Sequence, residues 1–193
     1  MELKGSETEK NLLKAFAGES QARMRYTYFA SKAGKEGFKQ IQAIFQETSD
    51  NEKEHAEIFF KYLESCEGES LEIQAFYPAG KIGTTEENLL ASANGEKEEW
   101  GELYPEFEKI AKEEGFENVA KSFKEIAEVE EEHEKRYRKL LENVKTKTVF
   151  KKSQKVKWKC LNCGYVHEGE EAPLVCPACK HKQEYYEILS ENY

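Results

Sequence analysis

The sequence predicts a mainly α-helical protein, in which a four-helix bundle is followed by a small four-cysteine module. Residues 6–144 are rich in helix-forming residues and contain prolines only at Pro78 and Pro105. From Val156 onward the chain has prolines, glycines and aromatic residues and no helical period, and a basic polar stretch joins the two regions. The predicted boundaries are 1–146 for the bundle, 147–155 for a linker and 156–193 for the module.

Two start signals and one long connection organise the bundle. Ser6 with Glu9, and Thr84 with Glu87, each fit a capping box just ahead of a Leu-Leu pair, and so predict helix starts. The stretch 67–83 contains a proline and three glycines and predicts a long connection in place of a tight turn. Two helical hairpins joined by one long crossover form the ferritin-like arrangement of a four-helix bundle.

An internal repeat supports this topology. The pattern over residues 8–19 recurs over 85–96, an offset of 77 (85 − 8), and residues 38–55 recur as 116–133, an offset of 78 (133 − 55). Each copy carries Gly-Glu on its first helix and Glu-x-x-His on its second. Such self-similarity predicts a duplicated hairpin that folds about a pseudo-twofold axis.

Four glutamates and two histidines are candidate metal ligands. In each Glu-x-x-His the two residues are three apart, so both project from one face of the helix. In so acidic a chain a single copy would more often lie on a solvated face, but two copies in register with two further glutamates favour a metal site. A glutamate from each of two helices and Glu-x-x-His from the other two is the ligand set of di-iron or di-manganese carboxylate proteins. The candidates are Glu19, Glu52, His55, Glu96, Glu130 and His133.

The repeat is broken at Glu99, which lies three residues after Glu96, on the same helix face, and whose counterpart is Ala22. Glu99 is therefore a seventh potential ligand on one side only, which suits a site whose ligation changes with oxidation state. Tyr26 lies about two helical turns after Glu19, and Tyr104 lies about two turns after Glu96. Each is interpreted either as a hydrogen-bond donor to a ligand carboxylate or as a core aromatic residue.

Four of the five cysteines form two Cys-x-x-Cys pairs, Cys160 with Cys163 and Cys176 with Cys179. This spacing predicts a tetrahedral metal site. On spacing alone a structural zinc is commoner than iron, but a redox site in the bundle needs electrons, which zinc cannot carry. Context therefore favours iron. Cys66 stands alone and is interpreted as structural.

Composition excludes several classes of function. The formal net charge of −9 argues against nucleic acid, because phosphates would repel the chain. No apolar run approaches the roughly 20 residues of a membrane span, and charged residues interrupt the first 21 positions, unlike a secretory signal. We therefore expect a cytoplasmic protein that binds neither nucleic acid nor membrane.

The sequence resembles the rubrerythrin family over nearly its whole length. The segments that carry the resemblance are 17–23, 52–55, 130–133 and 160–169. The resemblance implies a ferritin-like bundle with a non-haem di-iron site, followed by a rubredoxin-like domain with one thiolate-bound iron. It also implies reduction of hydrogen peroxide to water, which protects anaerobes or microaerophiles against oxidative stress.

The resemblance further implies roles for the ligands and for partners. The bridging ligands would be Glu52 and Glu130, the other ligands of one iron Glu96 and His133, and a ligand of the second iron Glu19. That second iron would move between Glu99 when oxidised and His55 when reduced. Electrons would come from an NAD(P)H-dependent reductase or a small rubredoxin. The subunits would form a head-to-tail homodimer, in which one thiolate-bound iron serves the partner's di-iron site.

Two other functions fit parts of the sequence. A ferroxidase or oxidase on the same bundle would react with O2 and has no need of the four-cysteine module. A non-catalytic electron carrier or metal-binding protein with a structural zinc ribbon would show no visible colour from its thiolates.

Overall fold

The computed structural model describes residues 2–192, so the outer domain limits predicted at positions 1 and 193 lie outside the described residues. The helices are α1 (Glu7–Lys35), α2 (Lys39–Tyr62), α3 (Thr85–Glu98), α4 (Tyr104–Glu113) and α5 (Glu117–Lys145), and the strands are β1 (Lys151–Cys160), β2 (Val166–Glu171) and β3 (Tyr186–Ile188). A π-helical turn, Glu99–Leu103, joins α3 directly to α4, so these three segments act as one long helix. Among residues 2–192, no helix combines the length and the apolar character that crossing a membrane requires.

The predicted ferritin-like bundle is confirmed. Helix α1 packs along α2, and α3 and α4 pack along α5, with an irregular crossover between the two hairpins over residues 67–84. The apolar core falls into two separate clusters, one around Tyr26, Phe45 and Tyr137 and the other around Phe59 and Phe123. The candidate ligands lie between these clusters along each helix. A buried polar layer is therefore enclosed by apolar layers above and below it.

The hairpin ends reproduce the pseudo-twofold relation. The α1–α2 turn places Gly37 at φ +84°, and the second hairpin places Gly115 at φ +83°, each just ahead of a phenylalanine. A positive φ favours glycine, which has no Cβ to clash. Both turns therefore reverse the chain in the same way.

Two glutamates at these turns cap helices of the opposite hairpin. The Glu36 carboxylate accepts a hydrogen bond from the Thr85 backbone N–H (2.8 Å), and the Glu114 carboxylate accepts one from the Thr8 N–H (2.8 Å). Each satisfies an N–H group at the start of a helix, where no earlier carbonyl is available. These reciprocal caps tie the two hairpins together.

The two predicted capping boxes differ in the structure. Thr84 Oγ1 accepts from the Glu87 N–H and Glu87 Oε2 accepts from the Thr84 N–H, which completes one box. Ser6 Oγ accepts from the Glu9 N–H (3.0 Å), but the Glu9 carboxylate accepts from the Gly5 N–H (2.6 Å). The prediction at Ser6 is therefore right for the serine and wrong for the glutamate.

The C-terminal module is a three-stranded antiparallel sheet in the order β2-β1-β3. Trp158 and Tyr186 are its largest buried side chains. Strand β1 begins at Lys151, inside the predicted linker 147–155, and the division of the chain into domains stays a prediction.

The module packs on the end of the bundle where α1 turns into α2. The rings of Phe38 and Phe150 stack with centroids 6.3 Å apart and planes 6° from parallel. Lys39 Nζ lies 5.6 Å from the centroid of the Tyr185 ring. The module therefore rests at one end of the long axis of the bundle.

Candidate metal centres

Four helices bring the six candidate ligands of the repeat together. Their ligand atoms form two overlapping groups, within each of which all atoms lie within 4.8 Å of one another. The first group is Glu19, Glu52, His55 and Glu130, and the second is Glu52, Glu96, Glu130 and His133. Two positions that share two carboxylates are the arrangement that a carboxylate-bridged pair of metal ions needs.

The buried donor atoms of this cluster lack partners within the described chain. Both carboxylate oxygens of Glu130 are buried without a hydrogen bond, as is one oxygen each of Glu19, Glu52 and Glu96. His133 Nδ1 lies 2.7 Å from Glu130 Oε2, yet their relative orientation forms no hydrogen bond. Buried carboxylates are costly unless they are paired or bind metal. These atoms converge as ligands do, and the residues fit two metal ions.

The electrostatics of the cluster also require positive charge. Burial, reinforced by the charge of Glu130, raises the pKa of Glu19 well above its usual range. Burial by itself would lower the pKa of the two histidines. The carboxylates of Glu130 and Glu52 lie close to both rings, and their proximity outweighs burial and raises the pKa of His55 to about 11 and that of His133 to about 9. The buried carboxylates thus stabilise positive charge on the neighbouring histidines. Bound metal ions would supply this positive charge directly.

Two tyrosines hold the outer glutamates, each across the hairpin boundary. Tyr26 Oη donates to Glu96 Oε1 (2.6 Å), and Tyr104 Oη donates to Glu19 Oε1 (2.5 Å). Burial, together with the adjacent carboxylate, raises the pKa of both phenols well above their usual range, so both keep their protons. Both interpretations of these tyrosines therefore hold. Each donates a hydrogen bond to a ligand carboxylate, and each is a buried aromatic residue of the core.

The four cysteines of the two pairs also converge. Cys160 Sγ lies 3.7 Å from Cys179 Sγ, and Cys163 Sγ lies 3.7 Å from Cys176 Sγ, with all four sulfur atoms within 4.8 Å. These distances exceed a disulfide bond of about 2.05 Å and suit four thiolates around one ion. Cys66 is buried in the 3₁₀ turn that follows α2, distant in sequence from this site.

Each pair sits on a backbone knuckle of the same design. The Gly164 N–H donates to the Cys160 carbonyl and the Lys180 N–H to the Cys176 carbonyl, with φ of +77° and +65° at the two donors. The His181 N–H lowers the pKa of Cys179 to about 6. Backbone N–H groups that point at sulfur therefore stabilise the thiolate form required for binding metal.

Comparisons with known proteins agree with this geometry. Residues 10–141 match the family model for rubrerythrin, and residues 158–187 match that for the rubrerythrin rubredoxin-like domain. The chain belongs to the rubrerythrin family. The di-iron carboxylate site and the rubredoxin-like four-cysteine site of this family are both present, with donor sets that fit two iron ions and one iron ion.

Rubrerythrins of known sequence are similar to this chain over almost its whole length. The chain is 56% identical to a rubrerythrin of Porphyromonas gingivalis over 191 residues, which covers 99% of this chain and 94% of the relative. It is 55% identical to a rubrerythrin of Nitratidesulfovibrio vulgaris, with 99% and 98% covered. Among solved structures, fully reduced all-ferrous nigerythrin aligns with a TM-score of 0.65 at 30% identity, covering 96% of this chain and 87% of that chain.

Of the predicted ligands of the di-iron site, Glu99 alone belongs to neither of the two ligand groups in the bundle. It is partly exposed and begins the π-helical turn, whereas its repeat counterpart Ala22 is buried in the core. Burial of its carboxyl, reinforced by the charge of Glu130, raises the pKa of Glu99 to about 8, against the charge of Arg25. Sequence reasoning did not single out Arg25, because nothing in its spacing marks it.

The π-helical turn explains a detail of the repeat. The offset is 77 at Glu19 and Glu96 but 78 at Tyr26 and Tyr104, so the second hairpin has one extra residue between these positions. The turn Glu99–Leu103 lies in that interval. A π-helical turn accommodates one added residue within a helix. It keeps Tyr104 equivalent to Tyr26 and sets Glu99 apart.

Proposed function

We propose that this protein reduces hydrogen peroxide to water at the di-iron site, with electrons relayed through the four-cysteine iron site. The observation that carries the proposal is the presence in one chain of a buried cluster that shares two carboxylates between two metal positions and a separate thiolate site. Two ferrous ions held by these carboxylates and histidines would supply two electrons and the Lewis acidity needed to cleave a peroxide bond. Consumption of peroxide would protect the cell against oxidative stress.

The side chains around the cluster would hold the metals in a fixed arrangement. Glu52 and Glu130 would bridge the two ions, because both belong to each ligand group. Glu96 and His133 would complete the ligand set of one ion, and Glu19 would be a ligand of the other. The phenols that donate to Glu96 and Glu19 leave the second oxygen of each carboxylate without a protein partner and free to bind metal.

His55 and Glu99 would act as alternative ligands of the ion held by Glu19. His55 Nδ1 lies 2.8 Å from Glu130 Oε1 and 3.8 Å from Glu19 Oε1, inside the first ligand group. Glu99 lies beside that group, on a widened helical turn. A carboxylate that replaces an imidazole adds a negative charge, which would balance the higher charge of the oxidised site.

The position of the module supports a homodimer in which electrons pass between subunits. The module contacts Lys39, and Glu52 lies 13 positions further along α2. At 1.5 Å per residue this is roughly 20 Å along the helix. The thiolate site of a partner arranged head-to-tail would lie closer to the di-iron site. The external donor would be an NAD(P)H-dependent reductase or a small rubredoxin in the cytoplasm.

The test is an anaerobic stopped-flow experiment on the iron-loaded protein. The fully reduced protein is mixed with stoichiometric hydrogen peroxide or with O2, and the visible band of the ferric thiolate site is followed. We expect the colour to return rapidly with peroxide and more slowly with O2.

Two outcomes would contradict the proposal. A faster return with O2 would favour an oxidase or ferroxidase. If no colour developed at any stage, the module would hold zinc and could not relay electrons.

A further inference from the structure

A cavity of 300 Å³ lies between the crossover and the bundle and ends beside the di-iron site. Its outer wall is the crossover segment 74–78, and its inner end is formed by Gly18, Glu99 and Tyr104. Tyr77 Oη donates to the Lys14 carbonyl (2.9 Å), which fixes the crossover over α1. The cavity therefore leads from the surface to side chains that adjoin the metal ligands.

This cavity is larger than hydrogen peroxide alone needs, and it combines apolar walls with charged side chains. A water molecule takes about 30 Å³ in the liquid, so the space holds roughly ten. Hydrogen peroxide is only one oxygen atom larger than water and gains nothing from apolar walls. The apolar lining includes Ala15, Leu103, Phe107 and Ile110, whereas Phe76 on the outer wall is 93% exposed. A substrate that carries an apolar group would use this surface.

Two helical glycines keep the inner end of the cavity open. Gly18 and Gly95 hold equivalent positions in the two hairpins, and both line the cavity. Neither has a positive φ, and glycine within a helix is less stable than alanine. A Cβ at Gly18 would meet only a Tyr77 ring carbon at 3.8 Å and Glu99 Oε1 at 3.9 Å. The backbone at Gly18 does not require glycine. The absence of a side chain at this position leaves open space next to Glu99.

We propose that this cavity binds the organic group of an alkyl or aryl hydroperoxide, so that the same site reduces organic hydroperoxides as well as hydrogen peroxide. The proposal rests on the proposed function. The hydroperoxide R–O–O–H takes up two electrons and two protons, its O–O bond breaks, and R–OH and water form. Reduced nicotinamide, acting through the external electron donor, is oxidised. The peroxide oxygens would face Glu99 and Tyr104, and the organic group would face Leu103 and Phe107.

The first test uses the iron-loaded wild-type protein with its electron donor and cumene hydroperoxide. We expect multiple turnovers that yield 2-phenyl-2-propanol, the product of two-electron reduction. Acetophenone, the product of one-electron cleavage, would overturn the proposal. Turnover of hydrogen peroxide without turnover of cumene hydroperoxide would also overturn it. If neither peroxide is reduced, the proposed function itself fails, and this inference fails with it.

The second test fills the cavity from the crossover, away from the metal ligands. Ala75 lines the cavity, whereas Ala79, four residues on, is exposed and outside it. We expect Ala75→Trp to lower the ratio of kcat/KM for cumene hydroperoxide to that for hydrogen peroxide by about tenfold, the discrimination typical of hydrophobic pockets. Ala79→Trp is the matched control and should leave the ratio unchanged. Equal ratios in both variants would overturn the proposal.

A binding measurement gives a readout apart from turnover. Ligand-observed NMR should detect 2-phenyl-2-propanol bound to the wild type and to Ala79→Trp, and not to Ala75→Trp. Ala75→Leu, a smaller filling, replaces the tryptophan variant if that variant does not fold. Equal binding by filled and unfilled variants would place the organic group outside this cavity and overturn the proposal.

Discussion

Tyr26 and Tyr104 each donate a hydrogen bond to a glutamate of the other hairpin, Glu96 and Glu19 respectively. A buried carboxylate oxygen without a partner costs free energy, and hydrogen bonds to charged groups are stronger than those between neutral groups. The phenols also fix which oxygen of each carboxylate is left for a metal ion. Two side chains outside the ligand groups thus decide how the ligands are presented.

Removal of either phenolic hydroxyl should weaken metal binding. We expect Tyr26→Phe and Tyr104→Phe each to lower the affinity of the bundle for ferrous iron by about 10- to 100-fold. A titration of metal-free protein against a competing chelator measures this. Tyr28→Phe is the control, because Tyr28 lies on the same helix with its side chain 46% exposed. Equal affinity in all three variants would show that the hydrogen bonds do not position the ligands.

Substitution of Glu99 tests whether ligation changes with oxidation state. We expect Glu99→Ala to slow peroxide turnover by about tenfold or more and to leave His55 as a ligand in both oxidation states. Mössbauer spectra and structures of the oxidised and reduced forms would show this. Glu102→Ala, an exposed position on the same π-helical turn, is the control. If the spectra and turnover of Glu99→Ala match the wild type, the exchange of ligands is excluded.

The helix ends show how the two hairpins stabilise each other. Partial burial raises the pKa of Glu36, but hydrogen bonds from Thr85 and Lys32 outweigh it and leave the pKa lowered. The pKa of Glu114 is lowered in the same way by Thr8 and by the Glu7 N–H. The folded state therefore favours both ionised carboxylates. Their contribution to stability is present above the pKa of the unfolded chain, about 4.3, and is lost as the pH falls through the lower folded pKa.

The double variant Glu36→Ala, Glu114→Ala should lose about 2 kcal/mol of unfolding free energy at pH 7, or about 1 kcal/mol for each cap. Urea unfolding of metal-free protein measures it, and the difference from the wild type should shrink below about pH 4. Glu113→Ala is the control, because its side chain is 64% exposed in a weak ion pair with Lys109. A difference that did not depend on pH would show that the carboxylate charge is not involved.

The relay of electrons depends on the assembly of whole subunits. We expect Cys160→Ser with Cys163→Ser to abolish NAD(P)H-linked turnover and to retain the bundle iron. Loss of bundle iron in that variant would mean that the module is structural. The variant Glu52→Ala with Glu130→Ala should retain the thiolate iron and also be inactive.

Mixing these two inactive variants distinguishes transfer between subunits from transfer within one chain. In a head-to-tail homodimer formed at random, half of the dimers contain one of each chain and one working pair of sites. About a quarter of the wild-type turnover should then return. Mixtures without activity would show that the module serves its own chain.

The sequence by itself determined the features that depend on local spacing. Helical periodicity and the repeat predict the two hairpins, and the spacings of Glu-x-x-His and Cys-x-x-Cys predict the donor sets of both metal sites. A residue three positions on in a helix shares its face, and two cysteines in one knuckle share a metal. Both relations are fixed by backbone geometry over a few residues and need no knowledge of the fold.

The tertiary structure alone decided the features that join distant segments. The tyrosine donors, the caps at Glu36 and Glu114, the start of β1 at Lys151 and the cavity under the crossover each depend on how elements far apart in sequence approach one another. A tyrosine near a ligand has the same spacing whether it packs in the core or donates across the bundle. The relative position of the two hairpins distinguishes these cases. That position is set by the packing of the whole core, which local spacing does not reveal.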